Sequence, residues 1–330
     1  MRHLKLTIRI GLSVGFMVVL YFVTPSFDTD ELLPEWSAAT PIWLGAALVL
    51  TVTGFWFAAV RWHRVLFAFD MDSRTTRLFG HYMAGQFISN FVPTTVGGDV
   101  LRVNRLRRDT ENAPGSFASV LVERLSGWIV LPVLSLIGLL ANSGLRDLGH
   151  ATSVAFILAL VVLFAFGVLI LLVSSDWVGR FLEKRDGWAR YASALHLGID
   201  KLREHPQAAL KVLASAFTYQ LVVLSAAACA ARAMGIEGAV GPTAILAFLP
   251  AVLILQMVPL GIGGIGPREA ALALFFGQLG VPEERAFALG ILLYFLTVIG
   301  SLPGLVPLLF NRADGEMTDS GPNTGVPVKS

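Results

Sequence analysis

Residues 92–102 read VPTTVGGDVLR and residues 258–268 read VPLGIGGIGPR. Val-Pro opens each copy, Gly-Gly follows at 97–98 and 263–264, and Arg closes each at 102 and 268, so every matched pair stands 166 residues apart. Both copies sit inside long apolar stretches, where Pro removes a backbone donor and Gly frees the chain from helical geometry. Paired interruptions at corresponding places in two halves are the sequence mark of discontinuous membrane helices that meet around a ligand site.

The composition agrees with a membrane setting. Of the 330 residues 55% are hydrophobic and 15% charged, with a mean hydropathy of +0.69, which is too apolar for a soluble domain and suits an all-α polytopic membrane protein. Cys229 is the only cysteine, which excludes an intrachain disulfide, and the six histidines show no metal-ligand spacing, so neither a metal nor another cofactor is expected. Gly261, Gly263 and Gly266 form a literal GxGxxG, but a dinucleotide site needs a strand before it and here an apolar helix precedes. Walker A and GxSxG motifs are absent, so the chain carries no groups for ATP hydrolysis or serine hydrolysis and is read as non-enzymatic. No nucleic-acid partner is expected, because the basic clusters follow the loops.

Six stretches are long enough to span, at about 20 residues each: 8–24, 41–60, 116–141, 151–173, 208–233 and 286–310. The first begins after Arg2, Lys5 and Arg9 and no Ala-x-Ala cleavage site follows, so it reads as a retained span. Residues 78–101 and 243–279 are apolar but broken, and read as two re-entrant helix-break-helix hairpins, which membranes tolerate where the free backbone lies in protein or a wet cavity. Residues 25–40 hold four acids and no Lys or Arg, whereas the N-terminus and residues 61–77, 102–108 and 180–203 are basic. Placing the basic segments in the cytoplasm leaves only Arg146, Arg232 and Arg285 outside, with Arg124 and Arg268 in the membrane. The first hairpin then enters from the cytoplasm and the second from outside, an inverted repeat with halves at about 41–141 and 208–310. Residues 174–207 read either as an interfacial amphipathic helix or as a solvated cytoplasmic linker. Residues 1–310 form the membrane domain, and the Gly, Pro, Ser and Thr of 311–330 predict a disordered cytoplasmic tail.

Candidate site residues surround the breaks. Gly97, Gly98, Gly263 and Gly264 free the backbone, and Pro267 suits a first helical position. A half-helix N-terminus at membrane depth turns free amides and positive dipole toward a cavity, which fits a phosphate, and Arg102 and Arg268 would add bidentate donors. Asp99 and Glu269 stand beside those arginines; Glu269 either neutralises Arg268 or shares its site. Glu123 and Arg124 enter the membrane in VLVERLSGW and must be paired, hydrated or functional. Glu123 either passes a proton or counter-ion or holds Arg102 or Arg124 in place. Gln86, Asn90 and Thr94 either contact a head group or satisfy the broken backbone.

The run GQFISNFVPTTVGGDVLRVNRLRR at 85–108, SFASVLVERLSG at 116–127 and MVPLGIGGIGPREAALALFFGQLGVPEERAFALG at 257–290 closely resemble the transmembrane flippase-like domain of bacterial lysylphosphatidylglycerol synthases and its stand-alone relatives. The resemblance covers nearly the whole chain to about Phe310. It implies a multi-pass protein of the bacterial inner membrane that moves an anionic phospholipid or a polyprenyl-linked lipid precursor between leaflets. Full-length synthases carry a soluble aminoacyl-transferase domain after this region, so lysyl transfer is not expected here. The alternative is a non-transporting membrane subunit that presents lipid to a separate lipid-modifying transferase.

Overall fold

The computed structural model describes residues 37–91, 97–173, 189–257 and 266–308, and contains ten α-helices and no strand among them. The first span (8–24), both break segments and the tail therefore lie outside the described residues. In chain order the helices are α1 (Thr40–Ala68), α2 (Thr75–Phe91), α3 (Gly97–Thr110), α4 (Ala113–Ala141), α5 (His150–Val173), α6 (Ala189–Glu204), α7 (Pro206–Ala233), α8 (Pro242–Leu255), α9 (Pro267–Gly277) and α10 (Glu283–Ser301). Five are long and apolar enough to cross a membrane: α1, α4, α5, α7 and the run Glu283–Leu308 that continues α10 through a 3-10 turn. These match five of the six expected spans. Side chains such as Ile42, Phe67, Phe164 and Leu171 stand exposed on the outside, an apolar surface suited to lipid.

Local chemistry sets the helix ends. Proline occupies the first turn of α1, α4, α7, α8 and α9, where the missing N–H is no loss. Asn112 caps α4 by accepting from the Gly115 N–H at 2.9 Å. α1 differs from its expected end at residue 60. It continues to Ala68 because a stripe of Ala58, Ala59, Trp62, Val65 and Leu66 is fully buried, and Arg61 rides inside with it. Its 29 residues give a length of roughly 43 Å, more than a bilayer core needs.

Both broken segments fold back as antiparallel pairs. In the first, Gly85 of α2 lies against Gly98 of α3, and nearer the open end His81 meets Asp109 at 2.8 Å. In the second, Phe248 of α8 stacks on Phe275 of α9 with centroids 5.5 Å apart. α1 and α7, the equivalent helices of the two halves, also run antiparallel. Trp43 meets Arg232, Gly54 meets Val223 and Arg61 meets Tyr219. Small residues at this seam, including Ala47, Ala58, Ala227 and Ala230, allow close backbone approach. Opposed directions in equivalent helices mean that the repeat is inverted.

The halves exchange contacts symmetrically. Ser135 of α4 donates to the Ala247 carbonyl of the second hairpin at 2.5 Å, and Ser301 at the end of α10 accepts from Asn90 of the first at 2.9 Å. Those two serines are again 166 residues apart. Gly138 makes room for the Ala247 backbone, and Gly304 for the Met83 carbonyl. The first hairpin opens at the end where α1 finishes and α4 begins, the second where Asn142 donates to Thr243 at 3.0 Å.

Of the expected linker, residues 189–204 form α6. Its apolar face does not lie free on a leaflet. Leu195, Ile199 and Leu202 pack on Val65, Val122 and Val212, Tyr191 meets Phe117 edge-on, and Lys201 pairs with Asp70. The hydrogen bond and charge of Lys201 hold the exposed Asp70 carboxyl below its usual range.

Single cysteines in a Cys229→Ala background test this arrangement. Cysteines at Asn104 and Arg203 are expected to react with an impermeant maleimide from one face and a cysteine at Gly144 from the other; labelling of all three from one face would contradict opposed hairpins.

Candidate functional site

The helices that flank the two breaks meet at a cavity of about 310 Å³ lined by both halves, with Gly98, Asp99 and Arg102 from the first and Gln256, Arg268 and Tyr294 from the second. Its volume lies at the lower end of the roughly 300–1,000 Å³ of small-molecule sites. By the helical rise, Glu123 stands roughly 15 Å from one end of α4 and Arg268 roughly 14 Å from the far end of α9, so the charged lining lies well away from those ends of the helices that carry it.

Glu123 organises the first-half wall. It is 1% exposed, and its Oε1 accepts from Arg61 Nε at 2.9 Å and also pairs with Arg61 Nη2, while its Oε2 accepts from Arg102 Nη2 at 3.0 Å. One carboxylate thus bridges α1 and the first hairpin. Arg102 also reaches Asp99 at 3.3 Å, and Asp99 pairs in turn with Arg124, whose side chain is 29% exposed. Of the roles open to Glu123, holding Arg102 is observed, whereas Arg124 is held by Asp99. Aromatic faces fix the guanidiniums: Arg102 lies between Trp62 and Tyr82, 4.3 and 4.7 Å from their centroids, and Arg61 lies 4.5 Å from that of Tyr219.

Arg61 was not among the residues singled out by sequence. Its place in the basic run 61–77 disguised it as a loop residue, although Ala58, Trp62 and Val65 beside it carry the helical stripe onward. Gly127 gives it space, since a Cβ there would lie 2.5 Å from Arg61 Nη1. Gly98 allows α2 and α3 to touch, because its Cβ would fall on the Gly85 carbonyl.

The second-half wall is simpler. Arg268 donates to Glu269 Oε1 from Nε at 3.0 Å and Nη2 at 2.6 Å, while Glu269 Oε2 accepts the Gly266 N–H at 2.6 Å. Glu269 therefore neutralises Arg268 and closes the start of α9, where Gly266 takes a φ of 102° that favours glycine. Arg268 still lines the cavity, as do Gln86 and Asn90. Asn90 satisfies structure as well: it accepts from Gln86 at 3.4 Å and its carbonyl accepts from Tyr294 at 2.9 Å. Gly97 begins α3. Thr94, Gly263 and Gly264 lie outside the described residues.

Glu123→Gln removes the countercharge of two buried arginines. A stability loss of roughly 3–5 kcal/mol is expected, read as a lower Tm of the purified protein, against roughly 0–1 kcal/mol for the partly exposed Arg124→Gln. Equal losses in the two variants would show that Glu123 is not the bridge.

Comparison with known proteins adds a family. No curated protein and no solved structure matches the chain. The family described as lysylphosphatidylglycerol synthase TM region matches residues 7–304, which contain both hairpins, four of the five described spans with all but the last four residues of the fifth, and every described cavity-lining residue. The chain is a multi-pass membrane protein and belongs to the lysylphosphatidylglycerol synthase transmembrane-region family.

Proposed function

We propose that this protein moves an anionic lipid, either a phospholipid or a polyprenyl-linked precursor, between the leaflets of the bacterial inner membrane. The reading is non-enzymatic: the head group passes through the cavity while the acyl chains stay in the surrounding lipid. One observation carries it, the arginine-lined cavity between two inverted halves whose outer surface is apolar. A polar path that reaches the middle of the membrane lowers the cost of carrying a charged head group across it. The family supports a lipid-related role in the membrane. Orientation follows from charge, because Arg64, Arg74, Arg77, Arg105, Arg107 and Arg108 gather where the first hairpin opens, which favours that end for the cytoplasm.

A second reading has its own observation. α6 is docked across the ends of α1 and α4 with Lys201 and Arg203 in its last turn, a platform on which a separate transferase could receive a lipid presented by a non-transporting subunit.

Reconstituted vesicles separate the two. With a fluorescent phosphatidylglycerol analogue in both leaflets, protein-containing vesicles are expected to expose nearly all of the probe to an impermeant reductant, against about half in protein-free vesicles. Arg268→Gln is expected to slow this strongly at normal protein abundance. Probe protection equal to that of protein-free vesicles would favour the presenting subunit, and an active Arg268→Gln/Glu269→Gln double variant would remove Arg268 as a head-group ligand.

A further inference from the structure

Among the described residues, the equivalent helices α4 and α10 differ along one stripe. On α4, Ile129, Val133 and Leu136 are half-buried and Leu139 is buried. The positions 166 residues later, on α10 and the turn that continues it, are Phe295, Ile299, Leu302 and Leu305, and these are 38–54% exposed. Their spacing of three or four residues puts them on one side of the helix. Only at the tips do the two helices agree, where Leu140 and its equivalent Val306 are both exposed.

The cover on α4 is α5. It packs on α4 and α8, and Ile129 and Leu139 share one apolar core with Ala151 and Ala155 of α5. α10 packs on α1, α2, α7 and α9, and its stripe stays exposed beside all four. An inverted repeat calls for a helix beside α10 that crosses in the direction opposite to α5. Residues 8–24 meet that requirement. They are the apolar stretch of spanning length outside the described residues, and they lead into α1, which starts at the end of the bundle where α4 finishes and α5 begins. A span ending there runs against α5. The link is short enough, because α10 lies beside α1, where Gly300 meets Thr51 and Phe55. The surfaces also correspond: α5 buries Ala151, Ala155 and Ala159, small residues four apart, and residues 8–24 carry Gly11 and Gly15 at the same spacing. Small side chains let helices approach closely in lipid.

We propose that residues 8–24 form a helix seated on the stripe Phe295, Ile299, Leu302 and Leu305, with Gly11 and Gly15 inward, as the inverted counterpart of α5. The repeat then extends beyond the segments 41–141 and 208–310, and each half carries its own peripheral helix. This seat is independent of whether the protein moves lipid.

Spin-label distances in the full-length Cys229→Ala protein, reconstituted in bilayers, test it. Labels go on Thr24→Cys at the end of the span, and on either Glu283→Cys at the start of α10 or Ser153→Cys at the start of α5, both exposed sites away from the stripe. The distance from Thr24 to Glu283 is expected to be sharp and within about 20 Å, and that to Ser153 at least about 10 Å longer, since packed helix axes lie about 8–10 Å apart. A shorter distance to Ser153, or no sharp distance to Glu283, would overturn the seat. A bismaleimide scan adds the face. Ile299→Cys is expected to link to cysteines at Gly15 or Val18 and not to one at Ser13, which points the other way on a helix. Cysteines at Asn142 and Thr243, whose side chains are hydrogen-bonded, serve as the positive control. With that control linked, failure of every pair would leave the stripe to lipid, and a dimer formed by Ile299→Cys alone would give it to a second copy; either result overturns the proposal.

Discussion

Two arginines and a glutamate meet in the interior of the helix bundle, where an unpaired charge would cost several kcal/mol, and much of the architecture follows from keeping them together. Glu123 can reach both guanidiniums only if α1, α4 and the first hairpin converge within a side-chain length of one another. Small residues make that convergence possible: Gly127 leaves space for Arg61, and Gly85 and Gly98 let α2 and α3 touch. Trp62, Tyr82 and Tyr219 then hold the guanidinium planes from the sides. α3 begins at Gly97, so Arg102 reaches the site between one and two turns into that helix.

Symmetry explains the scaffold and its failure explains the site. Equivalent helices run antiparallel, equivalent serines reach across to the opposite hairpin, and left-handed residues recur at near-equivalent helix ends, Asp70 with Gly235 and Glu111 with Gly280. Of the site's charges only Arg102 recurs, as Arg268. At the positions 166 residues after Arg61 and Glu123 stand Ala227 and Leu289, while Arg268 keeps a partner next to it in sequence. Among the described residues one half therefore lines the cavity with a network of arginines and carboxylates and the other with a single neighbouring ion pair, so the two walls are unlike.

Much of this was legible in the sequence because membrane constraints are written in composition and spacing. The duplicated Val-Pro, Gly-Gly and Arg located both hairpins, and charge asymmetry in the loops suggested their opposed directions before α1 and α7 showed it. Partnerships between distant residues were less legible. Glu123 had two arginines in view, Arg102 and Arg124; it took Arg102 and, in place of Arg124, Arg61, whose helix ran eight residues past its expected end. Gly85 lies outside the duplicated motif, and only the folded hairpin reveals that it faces Gly98. The side of α6 that looked ready for lipid instead covers Val65, Val122 and Val212, because hydrophobic periodicity identifies an apolar face without naming what covers it.

The central claim is that a lipid phosphate occupies the cavity beside Arg61 and Arg102. Solid-state NMR measures this directly, through dipolar dephasing of ¹⁵N-labelled arginine side chains by the ³¹P of lipids in native-like bilayers. The account predicts strong dephasing of the Arg61 and Arg102 guanidinium signals, assigned by single Arg→Lys variants, at distances typical of a hydrogen-bonded phosphate. Dephasing confined to arginines of the basic loops, such as Arg107 and Arg108, would place the lipid only at the membrane surface and contradict it.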